Sequence, residues 1–128
     1  MKTEKHIKGT TSLLLIASYF TSKGIEVFIP VDDFGECDLV IDDGKLKKVQ
    51  VKTIYWDNSK KRYLLSLVTS HIRGNNRRIN KKYNLNSFDL LAGIELKSGA
   101  IYLIPIEKVA GRRSMTIYLK DKEQYRTR

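Results

Sequence analysis

Apolar positions in the 128-residue chain change from a helical to an extended period shortly after Phe20. Leu13, Ile16, Ala17 and Phe20 recur at intervals of three and four. That spacing predicts a helix over 10–23 buried on one face, with Thr10 or Thr11 as N-cap and Gly24 at the left-handed C-terminal position. Alternation over 25–30 predicts a half-buried strand that Pro30 ends or marks as an edge. Strands are also expected at 37–41 and 46–53, joined through Asp42, Asp43, Gly44 and Lys45, whose Asp-Gly pair signals a hairpin. Four further apolar runs, at 63–68, 88–94, 100–106 and 115–119, read as strands. The residues between them read as connections: an acidic loop at 32–36, an exposed basic loop or frayed helix at 71–83, and a solvated tail at 120–128. No repeat or linker interrupts the pattern, so residues 1–128 are read as a single domain.

The hairpin has two possible registers with different consequences. A three-residue turn of Asp43, Gly44 and Lys45 sets Asp38 across from Gln50, whereas a two-residue turn moves the partner by one and flips its face. In the three-residue register, Leu39, Ile41, Val49 and Val51 gather on one side as a core face. Burial there is worth roughly 1.5 to 3 kcal/mol for each side chain. Gln50 and Lys52, two apart on one strand, then share the opposite face.

Composition narrows the setting. Apolar residues make up 41% and charged residues 30% of the chain, a balance that suits a folded globule. Cys37 is the only cysteine, which excludes an internal disulfide, leaves a thiolate metal cluster without partners, and fits a reducing, cytoplasmic location. The basic start before Leu13–Ile16 imitates a secretory signal, but no small-x-small cleavage site follows. The apolar run is also far short of the roughly 20 residues of a membrane span, so no membrane partner is expected. His6 and His71 stand in no recognisable ligand spacing with Cys37 and read as surface residues.

The net charge of +10 is unevenly placed: residues 57–83 hold eight basic side chains and one acidic. Lys60, Lys61, Arg62, Arg73, Arg77, Arg78, Lys81 and Lys82 therefore form a candidate phosphate-contacting surface, the alternative being a solvated face that aids solubility. Asp38, Gln50 and Lys52 are the candidate chemistry. Phosphodiester hydrolysis needs a hard cation and a group that positions water. Asp38 offers a carboxylate oxygen, Gln50 an amide oxygen and Val51 a backbone carbonyl, while Lys52 offers a charge for water or phosphate. Taken as residues alone, the same trio also suits a plain solvated sheet face.

The order of these pieces carries a resemblance. Lys8-Gly9, a helix, Gly24-Ile25-Glu26-Val27, then Cys37-Asp38-Leu39-Val40-Ile41, a turn and Val49-Gln50-Val51-Lys52-Thr53 resemble the core of the PD-(D/E)xK nuclease superfamily. Within it, the group I intron homing endonucleases and Holliday junction resolvases are the most similar branches. Tyr83, Phe88-Asp89-Leu90-Leu91-Ala92 and Ile101-Tyr102-Leu103-Ile104-Pro105 resemble the downstream strands of the intron-endonuclease branch.

The resemblance implies an α/β, restriction-endonuclease-like core with a central mixed β-sheet flanked by helices. It also implies Mg2+-dependent cleavage of duplex or branched DNA, with Mn2+ as a substitute, and a homodimer or homotetramer that cuts two strands. Asp38 matches the metal-binding Asp, Gln50 the second acidic position and Lys52 the lysine. Two positions depart from the pattern: Gln50 replaces Glu or Asp, and Leu13 stands where many relatives carry a helical Glu. Those departures keep a second reading open, a nuclease-fold protein that binds DNA or another protein without cutting. An RNA-binding domain is less well supported, since no ribonucleoprotein motif occurs and Tyr55, Trp56 and Tyr63 read as core or rim.

Overall fold

The computed structural model describes residues 3–32, 35–72, 78–117 and 126–127, with backbone alone for 68–72, 78–81 and 115–117. Its helix α1 (Glu4–Ser22) starts well before residue 10. Thr3 is the N-cap, its hydroxyl accepting the His6 N–H at 3.3 Å, and Glu4 pairs with Lys8 at 3.2 Å one turn on. Thr11 instead lies inside the helix, where its hydroxyl donates to the Ile7 carbonyl at 2.7 Å. The apolar stripe begins only at Leu13 because the first two turns overhang a cleft rather than the core. Periodicity alone therefore misses them.

The other end is as expected. Gly24 adopts φ +76°, its N–H donates to Thr21 O at 2.9 Å, and Ile25 N–H donates to Phe20 O at 3.0 Å. These two bonds form a Schellman closure.

The chain then runs through β1 (Glu26–Phe28), β2 (Leu39–Asp42), β3 (Leu46–Thr53), β4 (Tyr55–Asp57), β5 (Arg62–Ser66), β6 (Val68–Ile72), β7 (Arg78–Lys82), β8 (Leu90–Glu95), β9 (Ala100–Pro105) and β10 (Ser114–Ile117). A 3-10 turn, Ile106–Lys108, follows β9. Five strands make the central sheet in the order β1-β2-β3-β8-β9. β3 and β8 run parallel and the other neighbours antiparallel, so the sheet is mixed as expected. The hairpin takes the three-residue register: Leu39 pairs with Val49, Ile41 with Lys47 and Asp42 with Leu46.

The register sorts the side chains. Leu39, Ile41, Val49 and Val51 face α1, packing with Ile16, Tyr19 and Phe20. On the other face, Leu91, Tyr102 and Ile104 pack with Leu65, Leu67, Tyr83, Phe88 and Val109. Among the described residues α1 is the one α-helix flanking the sheet. The second face is covered by the β10-β5-β4 sheet and its connections.

Several local expectations change. The stretch 71–83 is not a loop or helix where it is described: β6 and β7 pair as an antiparallel hairpin, with Thr69 opposite Lys81. Its Arg, Asn and Lys content hides any apolar alternation. The run 63–68 divides into the end of β5 and the start of β6. In the tail, Arg126 bridges to Tyr102 and Thr127 N–H donates to Ile101 O at 2.8 Å, so these two residues, exposed as expected of a solvated tail, also bond the outer edge of β9. Among the described residues no helix is long and apolar enough to cross a membrane.

Candidate active site

Asp38 stands where β2 parts from β3. Its N–H donates to Val49 O at 2.8 Å, and its Oδ2 accepts the Val51 N–H at 2.9 Å. The carboxylate thus takes over a ladder bond that β2 does not extend far enough to make. A strand residue sends its N–H and C=O toward the same neighbour, so the Val51 carbonyl faces the same gap as Asp38. The side chain is half-buried, and that burial pushes the Asp38 carboxyl above its ordinary range; the Val51 N–H and the Lys52 charge oppose the shift without cancelling it.

Gln50 and Lys52 are half-buried on the face opposite Val49 and Val51, beside Leu91 and Gly93 of β8. The paired register ends at Leu39 opposite Val49, and beyond it Asp38 is held by its bonds to Val49 and Val51. The Lys52 ammonium stands 5.6 Å from the centre of the Tyr83 ring, a cation–π distance. Burial holds Lys52 below the usual lysine value; the Asp38 carboxylate works against that depression and Lys5 adds to it.

Sequence reasoning gave Tyr83 no role in the site, yet it is the floor under Lys52. It is 2% exposed, and Phe88 braces its ring edge-on at 4.9 Å. Burial raises its hydroxyl far above the ordinary tyrosine value, with the Asp38 and Glu36 charges adding to the effect. Lys5 was missed as well, because the helix was expected to begin after it. Glu36, read as part of an exposed acidic loop, is half-buried, and its Oε2 is out of reach of solvent.

An open cleft of about 850 Å³ lies over Asp38 and Val51, walled by α1 from Lys5 to Leu13. Leu13 packs against the helix-side core, so α1 brings an apolar group where a carboxylate would add charge. Among the described residues no three His, Cys, Asp or Glu side chains group closely enough to hold a metal. The donors at the gap, the Asp38 carboxylate and the Val51 carbonyl, are hard oxygens with one formal charge between them. They fit a hard divalent cation whose shell is completed by water and a phosphate.

The basic candidates are scattered. Lys60 and Lys61 are exposed on the β4–β5 turn, where Lys61 donates to Asn58 Oδ1 at 3.0 Å. Arg62 is half-buried, with Nε 3.4 Å from Asp57 Oδ2, a loose ion pair that draws it back from the surface. Lys82 is exposed; Arg78 and Lys81 are described by their β7 backbone, and Arg73 and Arg77 lie outside the described residues.

Comparison with known proteins gives three findings. The family model for the PD-(D/E)XK endonuclease matches residues 3–128. Protein 5.3 of Escherichia phage T7 is 45% identical over 51 residues, covering 39% of this chain and 43% of that protein. Among solved structures, the bacterial homing endonuclease I-Ssp6803I superposes with a TM-score of 0.84, covering 97% of this chain and 89% of that one at 21% identity. At that identity the superposition establishes the fold.

Proposed function

The chain belongs to the PD-(D/E)XK endonuclease family, and from that premise we propose that it is a metal-dependent DNA endonuclease cutting duplex or branched DNA, as a homing endonuclease or a Holliday junction resolvase does. The observation that carries the reading is the convergence of Asp38, the Val51 carbonyl and Lys52 at the point where β2 and β3 separate. Asp38, Gln50 and Val51 would hold the ion. Bound Mg2+, with Mn2+ as the substitute, supplies a Lewis acid for the phosphate and lowers the pKa of an attacking water. Lys52, raised on the Tyr83 ring, holds a positive charge where charge develops on the phosphate. Asp38 is fixed before substrate arrives, because its Oδ2 is tied to the Val51 N–H.

One carboxylate holds a divalent cation weakly, so the substrate phosphate is part of the binding site. Metal and DNA are therefore expected to bind cooperatively. The basic side chains Lys60, Lys61, Arg62, Arg73, Arg77, Arg78, Lys81 and Lys82 would track the backbone of that DNA. Paired cuts on two strands would require two copies of the site, hence a homodimer or homotetramer in the cytoplasm.

Leu13 and the missing second carboxylate support a second reading, a family member that binds DNA or protein without cutting it. Supercoiled, linear and four-way-junction DNA incubated with the protein in Mg2+, in Mn2+ and in EDTA separates the two. Cleavage in either metal, absent in EDTA and absent for Asp38→Asn, is expected. Salt-sensitive DNA binding with no cleavage in any metal would establish the binding reading instead.

A further inference from the structure

Beyond Lys52 the chain runs on through Thr53 and the buried Ile54 into β4. At about 3.3 Å per residue, Tyr55 stands on the order of 10 Å from Lys52. Tyr55 is 48% and Trp56 41% exposed. With Lys8, Thr53, Leu96 and Lys97 they line a recess of about 210 Å³. Tyr63 braces the Trp56 ring edge-on at a centroid distance of 4.7 Å, and the Lys8 ammonium lies 5.7 Å from the centre of the Tyr55 ring. The one acid in the wall, Glu95, is buried and its Oε2 accepts the Ser98 N–H at 2.9 Å, which commits it to a turn.

Two aromatic rings that only completed the core would be covered. These are open, and one is held rigid by a neighbour. Lysines surround them: Lys97 and Lys8, the latter also paired with Glu4, stand in the recess, and Lys60 and Lys61 at the far end of the β4–β5 turn. Aromatic faces beside ammonium groups suit a nucleobase and its phosphate, since every base offers a π-face to stack and every phosphate a charge to pair. A stacked duplex hides those faces, so the occupant must be a base outside the helix.

We propose that this recess takes an unstacked base of the DNA substrate, close along the strand from the phosphate held at Asp38 and Lys52. The proposal rests on the nuclease reading for the identity of the substrate. It makes DNA with unpaired positions, at a branch, a gap or an opened duplex, the preferred class.

Trp56 is the only tryptophan in the chain, so its emission reports on the recess in the unaltered protein. In EDTA, a single-stranded thymidine oligomer is expected to quench Trp56. An abasic oligomer with the same phosphates is expected to leave the emission unchanged. Tyr55→Ala is expected to weaken the thymidine oligomer by between about fivefold and about 150-fold, the range for losing one stacked base, and to spare the abasic one. Equal quenching by both oligomers, or tight binding of thymidine with no quenching, would overturn the proposal while cleavage that depends on Lys52 leaves the nuclease reading standing. Failure to bind any DNA, single-stranded or duplex, would overturn both.

Discussion

Asp38 and Lys52 are both held against their charges. Burial raises the carboxyl of one and lowers the ammonium of the other, and their mutual attraction only partly offsets this. The charged forms therefore cost stability in the metal-free protein at neutral pH. For Asp38, whose folded pKa is raised, the cost is present above that value and disappears as pH falls through the ordinary carboxyl value of 3.8. Asp38→Asn is accordingly expected to melt at or above the wild-type temperature at pH 7. The gain should shrink toward zero in acid, as followed by thermal unfolding across pH. Asp38→Ala, which also removes the acceptor for the Val51 N–H, should be less stable than Asp38→Asn by about 1 kcal/mol.

What Tyr83 gives Lys52 is the face of its ring. Tyr83→Phe keeps the face under Lys52 and is expected to retain cleavage, while Tyr83→Leu should lose roughly 2- to 30-fold in kcat, the span of a cation–π contact, with little change in KM. The common face of Gln50 and Lys52 was legible in the sequence, because strand alternation fixes it, and the place of Asp38 relative to them hung on the length of the turn. Tyr83 and Lys5 were not legible, because they reach the site through tertiary packing that no local period records.

At the scale of elements, the site depends on one turn. Gly44 sits at φ +107°, and its N–H donates to Asp42 Oδ1 at 3.0 Å, closing the three-residue turn that sets Leu39 opposite Val49 and brings Asp38 to the edge of β3. Gly44→Ala is expected to cost about 1 kcal/mol or more, since L-residues avoid that backbone region. If the register yields rather than the turn, cleavage should fall further than stability does; chemical denaturation and cleavage measured on the same variant check this. The Asp-Gly pair made this turn readable in advance. The first turns of α1 and the β6–β7 hairpin were not readable, the former because they overhang a cleft and the latter because Arg78, Asn80, Lys81 and Lys82 give its strands no apolar rhythm.

For the whole molecule, the parallel β3–β8 pair at the centre of the sheet makes a rigid base, and the site opens beside it toward α1 and its cleft. In the proposed reading, charge outside the site sets how DNA arrives. Each phosphate neutralised steepens the dependence of binding on salt by about 0.9 in a plot of log affinity against log salt. Replacing both Lys60 and Lys61 by Ala is expected to flatten that slope by about 1 to 2 and to weaken duplex binding without changing the cleavage rate of bound DNA. Fluorescence anisotropy at a series of salt concentrations measures the slope.

In the proposed reaction Lys52, seated on Tyr83 beside Asp38, acts on the scissile phosphate. Lys52→Met removes the charge and keeps an apolar stem of similar length over the Tyr83 ring. The variant is compared with the wild type by single-turnover cleavage of supercoiled DNA in Mg2+ under conditions where both bind DNA to the same extent. Cleavage by the wild type is expected, with a loss of at least about 100-fold in the variant, the scale of removing one electrostatic contact to the transition state. Cleavage by Lys52→Met at the wild-type rate would contradict it.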